Sequence, residues 1–292
     1  MIKVLIFGSK GWIGTEFVTY LKKNEEIEYY ETEIRGDNEE EVEKVIKEYK
    51  PTNIISFIGR THGDGVNSID YLEEKGKLQY NIRDNLYAPV VIGNISNKYK
   101  IHYVYIGTGC IFNQKNPLEK SYKEEEKADF YGSSYSIVKG YTDRLLRMYE
   151  NTLILRIRMP IVNYNHPRNF ITKITKYENI VSMPNSMTIL KDFYPIIVDL
   201  IKRKEKGILN LTNPGTITHN EILEMYKEII NPTYTWKNFS IEEQNKILKS
   251  ERTNNQLDTK KLETLYPNIR NIKEGIYECL LEMKEEINNK KG

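Results

Sequence analysis

The sequence predicts an α/β fold, a doubly wound parallel sheet with a smaller C-terminal lobe, and three observations carry that reading. Short apolar runs rich in Ile and Val alternate with longer amphipathic segments through the first half, a glycine-rich turn directly follows the first run, and the alternation breaks after Met159-Pro160. Continuous apolar runs mark strands buried on both faces, as a parallel sheet covered by helices requires. Strands are expected at 3–7, 28–33, 53–58, 102–106 and 152–156. Helices are expected to begin near Trp12, Glu39, Asn81 and Ser134, with Pro51 ending the second ahead of the third strand. Residues 1–159 then form the first unit and 160–292 mainly the second. Pro167, Pro184 and Pro195 are expected to break the second unit into short segments before a strand near 207–211 returns to the main sheet. Thr218-His219-Asn220-Glu221 reads as a capping box opening a helix through Ile229, and Asp258 is placed to cap another. The polar tail 284–292 is expected to fray.

Composition narrows the function. At 292 residues the chain buries a core without staples. Its 43 basic and 41 acidic side chains leave a net charge of +2, too little field to gather a polyanion, so nucleic acid is not the expected partner. No apolar run approaches the roughly 18 residues of a membrane span, and the opening Ile2-Lys3-Val4-Leu5-Ile6-Phe7 is too short and wrongly flanked for a secretion signal. Cys110 and Cys279 are expected as free thiols, which suits a cytoplasmic protein, and no metal site is expected.

Gly8-Ser9-Lys10-Gly11-Trp12-Ile13-Gly14 sits between the first strand and the first helix. Glycines let the backbone approach a pyrophosphate, and the helix N-terminus offers free amides and partial positive charge. This makes residues 1–159 a candidate Rossmann-type dinucleotide-binding domain. The GxxGxxG spacing is the form of short-chain dehydrogenase/reductase folds. After the second strand a carboxylate would accept from a ribose hydroxyl, whereas an arginine would pair with a 2′-phosphate. Glu31 and Glu33 point to NADH, Arg35 to NADPH, and strand alternation places all three on one face. The reading favours NADPH through Arg35 and leaves NADH open.

Tyr135 and Lys139 lie four apart, one above the other on a helix. An ammonium beside a phenol is expected to lower the tyrosine pKa, so that it exchanges a proton with a carbonyl oxygen near neutrality. Thr108 ends the fourth strand, at the edge where open α/β sheets hold their active sites, and its hydroxyl can bond the same oxygen. These three residues in chain order read as a carbonyl reductase, with Tyr135 giving the proton, Lys139 tuning the tyrosine and holding the cofactor ribose, and Thr108 orienting the substrate; Tyr135 and Lys139 thus count among the cofactor-binding residues as well.

The stretches Ile106-Gly-Thr-Gly-Cys-Ile-Phe112, Arg156-Ile-Arg-Met-Pro-Ile161, Pro167-Arg-Asn-Phe-Ile-Thr-Lys-Ile174, Met183-Pro-Asn-Ser-Met-Thr-Ile-Leu190, Leu211-Thr-Asn-Pro-Gly215 and Arg252-Thr-Asn-Asn-Gln-Leu-Asp258 resemble one family. It is that of the bifunctional UDP-4-keto-6-deoxyglucose 3,5-epimerase/4-reductases of UDP-rhamnose synthesis, akin to dTDP-4-dehydrorhamnose reductase and GDP-fucose synthase. The likeness runs from Met1 to about Met283. It implies C3 and C5 epimerisation followed by NADPH-dependent reduction of the C4 ketone, with Cys110 and Lys173 as the proton-exchanging pair. It makes the C-terminal lobe substrate-binding, with Arg168 and Arg252 on the pyrophosphate and Asn169, Asn185 and Asn254 near sugar or base. Gly59 and Asn85 are placed with the cofactor. His62 and His166 rank lower as bases. The loop 59–70 is longer than the family pattern suggests and holds Arg60, His62 and Asp64. With the chain beginning at the reductase glycine turn, the ketosugar is expected from a separate 4,6-dehydratase. A homodimer through helices flanking the sheet is also implied. Alternatives are a reductase without epimerase activity, an enzyme like GDP-fucose synthase, or a non-catalytic NADP-binding subunit.

Overall fold

The computed structural model describes residues 2–24, 27–113 and 121–289. The chain opens with β1 (Lys3–Phe7), α1 (Trp12–Asn24), β2 (Glu28–Thr32), α2 (Glu39–Tyr49) and β3 (Asn53–Ser56). A 3-10 turn (Ile69–Glu73) leads into α3 (Leu78–Ile82), a π turn (Arg83–Tyr87) and α4 (Ala88–Lys98), which follow one another without a break. Next come β4 (His102–Thr108), α5 (Ser134–Leu146) and β5 (Thr152–Ile157). After β5 come β6 (Pro160–Ile161), α6 (Phe170–Ile174), β7 (Asn179–Ile180), β8 (Thr188–Ile189), α7 (Leu190–Arg203) and β9 (Gly207–Asn210). It closes with α8 (His219–Ile229), β10 (Lys237–Asn238), α9 (Ile241–Ile247), α10 (Lys260–Leu265) and α11 (Ile272–Asn289).

Six strands form one parallel sheet in the order β2-β1-β3-β4-β5-β9. The chain moves outward from β1 to β2, then returns past β1 to β3, so the sheet has its switch point between β1 and β3, where such folds receive ligands. Alternate residues feed two cores. Val4, Ile6, Ile55, Val104 and Leu155 pack with Phe17 of α1 and Phe193, Ile197 and Leu200 of α7. Leu5, Phe7, Ile54, Tyr103 and Tyr105 pack on the other face with Val42 of α2 and Ile92 of α4. Each fully buried side chain of this size contributes about 1.5–3 kcal/mol. The C-terminal lobe has its own core, built from Ile171, Ile189, Ile222, Ile276 and Leu280 among others.

Three expectations are corrected. Pro195 does not break the chain: it lies inside α7, whose remaining apolar face is buried from Leu190 through Ile201, and that burial outweighs one lost backbone hydrogen bond. The α3 helix begins at Leu78 rather than Asn81, because Lys77 already starts the turn. The tail is helical to Asn289, tied down by Ile276, Leu280 and Met283, while 290–292 lie outside the described residues. The capping box at Thr218 and Glu221 is formed, and β9 pairs with β5 in the main sheet.

Arg156 of β5 is fully buried, and its guanidinium donates to both oxygens of Asp143 on α5, at 2.9 and 3.0 Å. Asp143 also accepts from Arg147 at 2.9 Å. Asp143→Ala would leave Arg156 buried without its anion, and a loss of about 3–5 kcal/mol in urea unfolding is expected. A loss below about 1 kcal/mol would place the pair among dispensable contacts.

Candidate active site

The glycine turn is built for close approach. Gly8 adopts a left-handed φ of 75°, and a Cβ on Gly14 would overlap the Gly8 carbonyl, so the first helix can start only against a bare backbone. The buried Ser9 hydroxyl has no hydrogen-bond partner among the described residues. Beside it lies a cavity of about 430 Å³ bordered by Lys10, Thr32, Glu33, Arg35 and Asp37. A bare turn, an orphaned hydroxyl and an adjoining cavity at a helix N-terminus fit a dinucleotide phosphate and ribose. Ile13 packs into the core below the turn. The Trp12 ring instead crosses to the second unit, stacking on His166 with centroids 4.9 Å apart and donating to Tyr164 Oη at 3.3 Å.

The three charged candidates after β2 separate. The strand ends at Thr32, so alternation does not carry through Arg35. Glu31 pairs with Lys22 at 3.8 Å and does not line this cavity, while Glu33 pairs with Lys10 at 3.5 Å and does. Arg35 is held at the rim by Asp37 at 2.8 Å and Asp84 at 3.6 Å. Asp84 also binds Arg60 at 2.5 Å and Arg83 at 2.8 Å, which hold its carboxyl below the usual range despite the opposing effect of burial. Its neighbour Asn85 is fully buried. Asn85 accepts from the Arg60 amide at 2.9 Å and donates to the Arg60 carbonyl at 2.8 Å, pinning the backbone just after Gly59. A Cβ on Gly59 would meet Asn85 Oδ1 at 3.3 Å. Asn85 thus shapes the cofactor-side loop through its backbone.

Thr108 and Tyr135 come together at the C-terminal end of β4. The Thr108 hydroxyl accepts from the Cys110 amide at 3.1 Å and hydrogen-bonds with the Tyr135 phenol. Here the expected electrostatics are reversed. Burial pushes the Tyr135 phenol up, Cys110 adds to that, and only Thr108 pulls it down; Lys139 is not among the groups acting on it. Lys139 is itself buried and directs its ammonium to Tyr105 Oη, and burial lowers it to about 7.

Tyr135, Cys110 and Lys173 share the wall of one cavity of about 820 Å³, with Asp70, Arg252 and Asn254 at other parts of its lining. Burial lowers the basicity of Lys173, and Arg168 and Arg252 lower it further. Arg168 hydrogen-bonds His62, whose pKa falls to about 4 through burial and the charges of Arg168, Arg60 and Lys173. Arg252 forms an ion pair with Asp70 at 2.5 Å. Arg168, Asn169 and Asn185 are not part of the cavity lining. Asn169 is buried as the N-cap of α6, donating to Val162 and Tyr164 carbonyls at 2.9 Å each. Asn185 is buried between Arg158 Nη2 at 2.5 Å and Asn254 Oδ1 at 3.0 Å. His166 stacks on Trp12. Sequence reasoning passed over Asp70, Asp84, Tyr105 and Arg158; only the alternation of β4, which puts Tyr105 on the α5 side, offered a signal.

The RmlD substrate binding domain family matches the chain over residues 2–285. The chain is 49% identical over 287 residues to the L780 protein of Acanthamoeba polyphaga mimivirus, covering 97% of this chain and 99% of that one. The crystal structure of the L780 UDP-rhamnose synthase from that virus superposes with a TM-score of 0.93 at 48% identity, again covering 97% and 99%. A bifunctional dTDP-4-dehydrorhamnose 3,5-epimerase/dTDP-4-dehydrorhamnose reductase of Arabidopsis thaliana is 40% identical over 283 residues, 95% of this chain and 92% of that one. A trifunctional UDP-glucose 4,6-dehydratase/UDP-4-keto-6-deoxy-D-glucose 3,5-epimerase/UDP-4-keto-L-rhamnose-reductase of the same plant is 39% identical over 280 residues. The match takes in 94% of this chain and 41% of that one.

Lys139 has a consequence for stability. Its folded pKa of about 7 lies below the ordinary 10.5, so between these values the unfolded chain holds a proton that the folded chain has released. Its destabilising effect is full below about pH 7 and fades as pH rises toward 10.5. The Lys139→Met variant is therefore expected to gain stability over the parent at about pH 7 in urea unfolding, and to gain less at about pH 9. A gain that does not change with pH would mean that Lys139 keeps its ordinary basicity.

Proposed function

The chain belongs to the RmlD substrate binding domain family, and from that premise we propose that it converts UDP-4-keto-6-deoxy-D-glucose to UDP-L-rhamnose, inverting C3 and C5 and reducing the C4 ketone. The observation that carries this reading is the single cavity onto which Tyr135, Cys110 and Lys173 all open. A C4 ketone acidifies the hydrogens on both neighbouring carbons, so groups that polarise its oxygen for reduction also stabilise the enolate of epimerisation. One pocket then serves both reactions. Tyr135 delivers a proton to the ketone oxygen and Thr108 orients it. Cys110 comes from the first unit and Lys173 from the second, so the two can take a proton from one face of the sugar and return it to the other. Burial and two neighbouring arginines leave Lys173 less basic, so more of it is free amine near neutrality. Arg252, which lines the cavity with Asn254, and Arg168, just outside the lining, are assigned to the substrate pyrophosphate.

The cofactor is a nicotinamide dinucleotide. When bound it supplies the hydride that reduces C4. Gly8, Ser9, Gly11 and Gly14 would hold its phosphates, and Lys10 and Arg35 at the rim favour NADPH over NADH. The ketosugar is the product of a 4,6-dehydratase, an activity carried by the trifunctional relative. No helix among the described residues is long and apolar enough to cross a membrane. Cys110 and Cys279 are free, which supports a cytoplasmic setting.

We also assign the apolar surface of α3, the π turn and α5 to a homodimer contact. It exposes Leu78, Ile82 and Tyr87 beside Tyr141, Leu145 and Met148, the last 77% exposed. Six exposed apolar side chains on neighbouring elements suit a protein interface. Leu145→Lys is expected to give a monomer in sedimentation velocity; a parent that is already monomeric would overturn the assignment.

The reaction is tested with purified protein, UDP-4-keto-6-deoxy-D-glucose and either reduced cofactor. UDP-L-rhamnose is expected, faster with NADPH, and Arg35→Ala is expected to remove most of that preference. A 4-reduced sugar with C3 and C5 unchanged would mean reduction without epimerisation. Tyr135→Phe is expected to lower reduction by about 100-fold or more. Cys110→Ala is expected to keep reduction of a pre-epimerised ketosugar while losing deuterium uptake from solvent at C3 or C5; uptake at the parent rate would remove Cys110 from the epimerase role.

A further inference from the structure

Strand β4 is buried from end to end, and its alternation sends Tyr103 and Tyr105 to the same side of the sheet. Tyr103 spends its hydroxyl on the Pro89 carbonyl at 3.3 Å. Tyr105 lies one pleat nearer the active edge, and its hydroxyl meets Lys139 Nζ. The ammonium also sits 4.5 Å from the centre of the Tyr105 ring. Its other acceptor among the described residues is the Ile106 carbonyl at 3.5 Å, at the limit of a hydrogen bond. A lysine this buried is normally paired with a carboxylate. The carboxylate on its own helix, Asp143, is instead committed to Arg156 and Arg147.

We propose that Tyr105 is a positioning residue for ketone reduction: its hydroxyl holds the Lys139 side chain in place in both protonation states of that lysine. A phenol accepts a hydrogen bond from an ammonium and donates one to a free amine, which neither a carbonyl nor a carboxylate can do. Lys139 therefore keeps its place on α5, one helical turn on from Tyr135, whichever form it takes. This proposal rests on the reductase reading above, since it concerns the same helix and the same proton transfer.

The titratable groups that act on Lys139 are few. Cys110 follows β4, and Asp143 lies on α5 itself; both favour the ammonium. From β5, Arg156 faces Asp143. The π turn presents Asp84, held by Arg60 and Arg83, and the 3-10 turn presents Glu73, which accepts from the Ser134 amide at 2.7 Å. The bond from the charged ammonium to the Tyr105 oxygen is stronger than the bond from that hydroxyl to a free amine, so removing the hydroxyl costs the ammonium more and the proton should leave at lower pH.

Tyr105→Phe keeps the ring and its packing while deleting the oxygen. Expected are an unchanged circular dichroism spectrum, a kcat for UDP-4-keto-6-deoxy-D-glucose reduced about ten-fold, and a sugar KM close to that of the parent. The alkaline limb of the kcat profile should move down by about one pH unit, equal to a ten-fold change in protonation ratio. Tyr105→His, which restores a donor and an acceptor, should recover part of that shift. A Tyr105→Phe profile that superimposes on the parent overturns the proposal, even if the rate falls, because a purely packing role lowers the rate without moving the limb. NADPH affinity, read by fluorescence from about pH 6 to about pH 10, gives a turnover-independent readout in which the same displacement is expected. A chain that binds NADPH but reduces no ketosugar defeats the reductase reading while this titration still decides the role of Tyr105. Failure to bind NADPH defeats both.

Discussion

The geometry of the site depends on the buried contact between Arg156 and Asp143. Arg156 belongs to the sheet and Asp143 to the helix that carries Tyr135 and Lys139, so this ion pair sets how α5 lies on β5. The same guanidinium also reaches the Asn210 side chain on β9 at 3.4 Å, joining the edge strand that returns from the second unit. Two charges taken out of water are stable only when their remaining lone pairs and protons are satisfied, and Arg147 completes the set around Asp143. A helix held at several points by directional bonds has little freedom to slide, and a phenol that must meet a ketone oxygen benefits from that restriction.

Much of the second unit's polar character turns out to be architectural. Asn169 caps the short helix bearing Lys173, and Asn185 and Arg158 tie the loop around Asn254 to the Gly109 carbonyl beyond β4. These side chains lie one layer behind the cavity wall. They brace Lys173 and Asn254 on the wall of the cavity that Tyr135 also lines, so several C-terminal polar residues support that wall from behind.

The sheet was legible because buried parallel strands are written as apolar runs: Ile, Leu and Val in β1, β3 and β5, and Val and Ile among tyrosines in β4. The glycine turn was legible for the same reason in reverse, since Gly8 and Gly14 occupy places that no side chain fits. What escaped was set by tertiary contact. Nothing local distinguishes Pro195 from a helix breaker; only the buried faces of Phe193, Ile197 and Leu200 do. Nor does the four-residue spacing of Tyr135 and Lys139 disclose that Tyr105 intercepts the ammonium and that burial governs the phenol. Asp70 and Asp84 read as ordinary surface carboxylates until distant arginines fold onto them.

The π turn between α3 and α4 makes this architecture sensitive to residue number as well as residue type. The wider coil brings Asp84 and Asn85, consecutive in the chain, inward together, one onto the arginines and the other onto the Arg60 peptide. An α-helix advances about 100° per residue, so shortening this segment by one would rotate one of the two anchors away from its target. Kinship among such chains could therefore be traced by the length of this stretch even where its letters have drifted.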